Sequence, residues 1–322
     1  MPRASTNLLA VGAAMIIAAV LPTDVIAADL KQVALPGERA YPESIAAAAD
    51  GTLYVSSLAS GGIVRIKPGA KAEEWIKPGA FDSRSTFGVL VDEKKGLLWV
   101  CSNDVSALGV PGPSAVPGSN LKGFDLASGD GKVSVPLPGT GNLCNDTAIG
   151  ADGSLFVTNS LKPQILRLKP GASKLEIFVE TATFEQPKEG AGLDGIAFGS
   201  DDNLYVNNYT GGGFFRIDVK GGAAGKVTKL ATSRALKFPD GLRLIGGQTF
   251  VMAEGGGTLD RVTVKGDDVQ FETLQDGLAG PTAVALVGDT LWAPEGQLSH
   301  LFDAKAGPPK LPFRVVGAAV PK

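Results

Sequence analysis

At 322 residues the chain has room for two average domains, and its 44% hydrophobic content is enough to fill a large core. A formal net charge of -3 offers no basic field to nucleic acid or to an anionic membrane, which excludes large polyanionic partners and leaves a small molecule as the expected one. Forty-three glycines and 21 prolines supply frequent turns, and cysteine occurs only twice.

Residues 1–28 read as an export signal. Arg3 provides a weak positive start, Leu8 to Leu21 runs apolar and uncharged, and Val25-Ile26-Ala27 fits a small-x-small cleavage site. The apolar run is short of the roughly 20 residues that span a bilayer, so removal is expected in preference to anchoring. A mature chain beginning near Ala28 or Asp29 is then periplasmic or secreted, free of the membrane, with residues 29–322 forming one domain.

From there a pattern returns six times, at intervals of roughly 40 to 60 residues. The copies open at Pro42-Glu43-Ser44-Ile45, Thr86-Phe87-Gly88-Val89, Cys144-Asn145-Asp146-Thr147, Leu193-Asp194-Gly195-Ile196, Pro239-Asp240-Gly241-Leu242 and Pro281-Thr282-Ala283-Val284. Each opening leads through a turn such as Asp50-Gly51 or Asp152-Gly153 into a second strand with an aromatic residue at its second position: Tyr54, Trp99, Phe156, Tyr205, Phe250 and Trp292. These rings suit a packing layer between adjacent sheets.

Third strands follow at Gly62–Ile66, Leu121–Asp125, Gln164–Leu168, Gly213–Ile217, Leu259–Val262 and Ser299–Phe302, and weaker, more exposed fourth strands at segments such as Glu73–Ile76 and Leu175–Phe178. Six units of four antiparallel strands predict an all-β, six-bladed β-propeller. The longest interval holds a Gly-, Pro- and Ser-rich stretch, Val105 to Asn120, expected to form a rim or lid on one face. For the last blade either Lys31–Leu35 or Phe313–Val316 is available as the outer strand. The N-terminal segment is favoured, because closure by both ends ties down two edges.

In a propeller the first strands line the central channel and their opening residues stand at one mouth. Glu43, Phe87, Asn145, Asp194, Asp240 and Thr282 then form a ring, in which three carboxylates and one amide converge. Crowded carboxylates either take up protons or hold a cation. With oxygen donors only, calcium is the best match, followed by magnesium or manganese, with zinc an unusual choice. Glu43, Asn145, Asp194 and Asp240 are the candidate ligands. Ser57, Asn159, Asn208 and Glu295, returning to the same face at the ends of second strands, are candidate substrate contacts further out. The alternative for each ring residue taken singly is an ordinary turn residue capping its strand.

Cys101 and Cys144 fall on neighbouring repeats and remain open to two readings, a disulfide or two buried thiols. The single histidine, His300, is expected on a third strand away from the mouth, which leaves a serine nucleophile without a base. Gly211-Gly212-Gly213 and Gly255-Gly256-Gly257 lack a strand-turn-helix setting and read as turns, so no nucleotide cofactor is expected.

The motifs Pro42-Glu43, Cys144-Asn145-Asp146, Leu193-Asp194-Gly195 and Phe238-Pro239-Asp240-Gly241 resemble those of the gluconolactonase/regucalcin (senescence marker protein) family of six-bladed propellers. The chain departs from its pattern in two ways: Asp194 stands where the family commonly has Asn, and Ala47 and Phe198 replace bulky Trp residues. The resemblance implies Glu43, Asp194 and Asp240 as ligands of a divalent cation, Asn145 as a ligand or substrate contact, and hydrolysis of a lactone or related ester. It makes Asp240 the first choice for the proton acceptor, with Asp194 second, and substrate identity is not carried over. Two other functions compete. One is a noncatalytic binding platform with a structural calcium. The other is a strictosidine-synthase-like enzyme, in which Glu254 or Glu295 would be the acid-base group.

Overall fold

The computed structural model describes Met1 and residues 30–320, so the expected export signal lies outside the described residues. Six antiparallel sheets follow one another around a central axis. The first four blades are consecutive meanders. In the first, Pro42–Ala47, Leu53–Ser57, Ile63–Ile66 and Glu73–Ile76 pair in chain order, and the blades opening at Ser85, Cys144 and Leu193 repeat this. The fifth blade, Pro239–Gly246 to Asp268–Gln275, gains a short parallel strand, Ala231–Thr232, on its outer edge.

The ring closes as expected at its outermost strand, where Lys31–Ala34 pairs antiparallel with Arg314–Ala319. The last blade differs inside. Its third strand is Arg314–Ala319, paired with Thr290–Pro294, and the expected strand at Ser299–Phe302 is a single helical turn. Gly307, Pro308, Pro309 and Pro312 punctuate the intervening chain, and prolines cannot donate to a ladder. Leu298 and Leu301, spaced three apart, pack together on the core instead of alternating.

Every blade enters its first strand through the same irregularity. Pro42, Cys144, Leu193 and Pro239 pair with Ser57, Asn159, Asn208 and Glu254, and in each case the register then slips before regular pairing resumes at Ile45, Thr147, Ile196 and Leu242. Such a bulge leaves ladder groups unpaired. Side chains of the neighbouring second strand take them up: Ser56 Oγ accepts the Ser44 N–H at 2.8 Å, Thr158 Oγ1 that of Asp146 at 2.9 Å, and Asn207 Oδ1 that of Gly195 at 3.0 Å. The bulge aims the residue in the slip, which is the ring residue, into the channel.

Between blades the second-strand rings pack as expected. Tyr205 meets Phe250 of the next blade with centroids 5.1 Å apart, and Phe156 meets Phe198 at 5.1 Å. At the axis the inner strands come too close for side chains. A Cβ on Gly195 would run into the carbonyl oxygen of Asp240, and one on Gly88 into that of Asn145. Cys101 and Cys144 form a disulfide, Cα atoms 5.2 Å apart, which joins the second and third blades directly beside Asn145.

Candidate active site

All six ring residues line one cavity of about 850 Å³ at one end of the channel. Glu43, Asn145, Asp194 and Asp240 are each no more than 5% exposed, so their polar groups are held in a largely dehydrated floor. Phe87 and Thr282 complete the circle, and Thr282 is occupied by a hydrogen bond to the Pro42 carbonyl. Asn145 Nδ2 donates to Ser160 Oγ at 2.8 Å and to Asp194 Oδ2 at 2.7 Å, which fixes the amide and turns its oxygen free. Asp240 Oδ1 accepts the N–H of Gly241 at 2.9 Å.

Burial dominates the electrostatics of the three carboxyls. It raises Glu43 well above the ordinary range, helped by the charges of Asp194 and Asp146, and raises Asp240 likewise, helped by Asp194 and Glu43. Burial lifts Asp194 to about 7, with hydrogen bonds from Asp240 and Asn145 pulling the other way. Burial therefore favours protonation of both Asp194 and Asp240 when no cation is held between them.

Glu43 Oε2 and Asp194 Oδ1 are buried and have no hydrogen-bond partner. A carboxylate oxygen left so is costly unless something positive meets it. Among the described residues no three His, Cys, Asp or Glu side chains already converge at ligand distances, so the fit to a hard cation rests on these two orphaned oxygens and an all-oxygen donor set.

Two residues that the sequence did not single out close the floor. Arg243, three residues beyond Asp240 on the fifth blade, reaches to the third, where its Nη1 and Nη2 meet the two oxygens of Asp146 at 2.7 and 3.0 Å. Its Nη2 also points at the Val89 carbonyl of the opposite blade at 3.5 Å. A guanidinium thus spans the axis directly below the ring. Its trace in the sequence is a pair of odd residues: Asp146 where the other copies have Ser44, Gly88, Gly195, Gly241 and Ala283, and Arg243 where they have Ala46, Leu90, Ala148, Ala197 and Ala285.

The expected outer contacts lie elsewhere. Ser57, Asn159, Asn208 and Glu295 are not on the cavity wall and are consumed by the protein. Ser57 Oγ donates to the Ala40 carbonyl, Asn159 Oδ1 accepts the Leu143 N–H at 3.0 Å, and Asn208 Nδ2 donates to the Phe184 carbonyl at 2.8 Å. Glu295 holds the Ala279 N–H at 2.9 Å and forms an ion pair with Arg314. Hydrogen-bonding residues at these strand ends serve the loops that lead toward the first strands, whose backbone groups at Ala40, Leu143, Phe184 and Ala279 they take up.

Glu254 is likewise engaged, with Arg234 at 2.6 Å and the Lys237 N–H at 2.6 Å, and neither Glu254 nor Glu295 faces the cavity. His300 does. The helical turn that replaces the expected strand brings it onto the cavity wall, with Nδ1 3.0 Å from the Gly307 carbonyl oxygen. The long second-blade insertion also reaches the cavity, through Val105 and Leu108. Tyr209 joins them from the fourth blade. Its phenol is held neutral by burial and by the charges of Asp240, Asp194 and Glu43, which leaves it a hydrogen-bond donor at the edge of the ring.

Residues 28–66 match the family model described as strictosidine synthase-like, N-terminal. No curated protein matches the chain in sequence. Solved structures match it along nearly its whole length. A gluconolactonase from Xanthomonas campestris is 17% identical with a TM-score of 0.65, covering 91% of this chain and 90% of its own. A luciferin-regenerating enzyme is 13% identical with a TM-score of 0.67, covering 90% and 95%, and a virginiamycin B lyase from Staphylococcus aureus is 15% identical with a TM-score of 0.59, covering 91% and 99%. At these identities the likeness is one of fold: this chain is similar in fold to a gluconolactonase, a luciferin-regenerating enzyme and a virginiamycin B lyase.

Proposed function

We propose that this protein is an exported, metal-dependent hydrolase of lactones or related esters. The observation that carries the reading is the ring itself, in which Glu43, Asn145, Asp194 and Asp240 converge from four blades on the floor of a cavity large enough for a small-molecule substrate. The solved gluconolactonases of the same fold support the reaction class. Export is supported by the apolar run Leu8 to Leu21 and by the Cys101–Cys144 disulfide, which suits an oxidising compartment.

A divalent cation, calcium first, held by Glu43, Asp194 and Asp240 with Asn145 beside them, would polarise the substrate carbonyl and stabilise negative charge on its oxygen. The protein's own groups do the rest. Asp240, in its ionised form, is the proton acceptor: burial and the charges of Asp194 and Glu43 raise its proton affinity, which makes the carboxylate a stronger base than an exposed aspartate. As the water oxygen bonds to the carbonyl carbon, Asp240 takes the water's proton and returns it to the alkoxide oxygen released when the ester C–O bond breaks. Asn145, anchored by Ser160 and Asp194, keeps its amide oxygen aimed at the same point. Tyr209 offers a neutral donor to the substrate at the ring's edge. Arg243 seals the floor and keeps bulk water from entering along the channel.

The test is calorimetric titration of the mature protein with calcium, against a D194N/D240N variant, with a panel of lactones assayed on the same samples. Metal-dependent turnover that disappears in the variant is the expected result. Binding without turnover of any lactone would make the ring a structural cation site in a binding platform, and no cation binding would remove the ligand assignment.

A further inference from the structure

Above the ring the cavity changes character. Phe87, Leu143, Leu161, Tyr209, Phe238 and Phe302 make up much of its wall, contributed by five different blades. The polar side chains among them are mostly committed to the protein's own backbone. Gln297 holds Lys310 through both ends of its amide, at 3.0 Å and 2.8 Å, Asp303 caps the Lys305 N–H at 2.8 Å, and His300 is tied to Gly307. Beyond the floor, the polar side-chain atoms of the wall without a partner among the described residues are few: the Tyr209 and Ser299 hydroxyls, the second ring nitrogen of His300 and the second carboxylate oxygen of Asp303.

The mouth is apolar as well. Leu108, Leu161, Phe238 and Phe302 are 64%, 48%, 51% and 47% exposed, an arrangement that costs solubility unless something apolar passes between them. Phe238 is the most informative. Its backbone sits at φ 57, a left-handed conformation that a bulky residue adopts only when its surroundings hold it there. The result is an exposed ring laid against Tyr209, centroids 5.2 Å apart, at the cavity entrance.

We infer that the substrate is a lactone or ester carrying a long alkyl or aryl body, not a polyhydroxylated sugar lactone. This rests on the hydrolase reading of the same site. The carbonyl is directed to the polar floor and the hydrocarbon lies along the wall. Along the apolar part of the wall a sugar's hydroxyls would be stripped of water with few groups to bond, whereas each methylene laid there adds about fourfold to affinity.

The experiment compares glucono-1,5-lactone with γ-lactones whose side chain lengthens stepwise, measured on wild-type protein both as kcat/KM with calcium and as binding by calorimetry in chelator. We expect kcat/KM and affinity to climb roughly two- to fourfold per methylene before levelling off, with glucono-1,5-lactone binding worse than the medium-chain compounds. F238N, which removes the ring and places at this left-handed backbone (φ 57) a residue that tolerates it, is expected to flatten the chain-length dependence. A flat series, or a preference for the sugar lactone, overturns the apolar-substrate inference while leaving the hydrolase standing. Chain-length-dependent binding without turnover supports the inference and sinks the hydrolase reading instead. No binding of any lactone overturns the inference.

Discussion

Replacing Arg243 by Met keeps the aliphatic stem and removes the charge that crosses the channel. The guanidinium is 17% exposed and Asp146 only 4%, with both carboxylate oxygens bonded to it. Removing one partner of a buried pair costs about 3–5 kcal/mol, because the other charge is left uncompensated. Asp146 retains two backbone donors, the N–H groups of Thr147 at 2.8 Å and Ile196 at 3.3 Å, which places the expected loss near the low end, about 3 kcal/mol. In a folded unit of this size that lowers Tm by roughly 5–6 °C, read by calorimetric unfolding.

R243M/D146N is expected to recover most of the loss, since an amide in place of the carboxylate no longer carries a buried charge. The two single effects should therefore be non-additive by about 2 kcal/mol or more. The ring supplies a second readout. Burial raises Glu43 and Asp194, and Arg243 is among the charges that restrain both. Its removal takes a positive charge from beneath the floor, so calcium is expected to bind R243M more tightly at pH 8 than it binds wild type. Additive stabilities together with unchanged calcium affinity would refute the reasoning, and would mean that Arg243 acts only by filling space.

Other outcomes follow from the same geometry. Because burial lifts Asp194 from 3.8 to about 7, and raises Glu43 and Asp240 too, the folded metal-free protein binds more protons than the unfolded chain from about pH 4 upward. Its unfolding free energy should fall as pH rises from 4 through 7, and calcium should raise Tm more at pH 8 than at pH 5. G195A drives a methyl group into the Asp240 carbonyl and is expected to cost about 1–3 kcal/mol and to weaken calcium binding, whereas G221A, strained at its left-handed backbone (φ 56) but in open space, should lose stability and leave calcium binding unchanged. Replacing Cys101 and Cys144 by Ser opens a link between residues 43 apart in sequence, an expected loss of about 4 kcal/mol that reductant should reproduce in the wild type.

Much of the architecture is written in local sequence. Tyr54, Phe156 and Tyr205 each sit one position into an apolar strand that follows a turn, and hairpins of this kind need only neighbours a dozen residues away to declare themselves. Alignment of such hairpins also placed Glu43, Asn145, Asp194 and Asp240 at one structural position, because the same bulge recurs at the head of each blade and turns the same residue inward. The glycines that follow at 88, 195 and 241 belong to that local logic, being the residues that let inner strands touch.

What lies outside it depends on the ring being closed. Ser57, Asn159 and Asn208 look like a second circle of binding groups in an aligned list, and only the packed loops behind them reveal which backbone groups they serve. The last blade takes its third strand from Arg314–Ala319 because its outer partner is Lys31–Ala34, at the far end of the chain, and this in turn frees Ser299–Phe302 to coil over the cavity and carry His300 to its wall. Asp146 and Arg243 are 97 residues apart and on blades that are not neighbours in the ring. Periodicity along the chain specifies each blade from within, but which charges face each other across the axis is decided by the angle between blades, a quantity that exists only once the ring is closed.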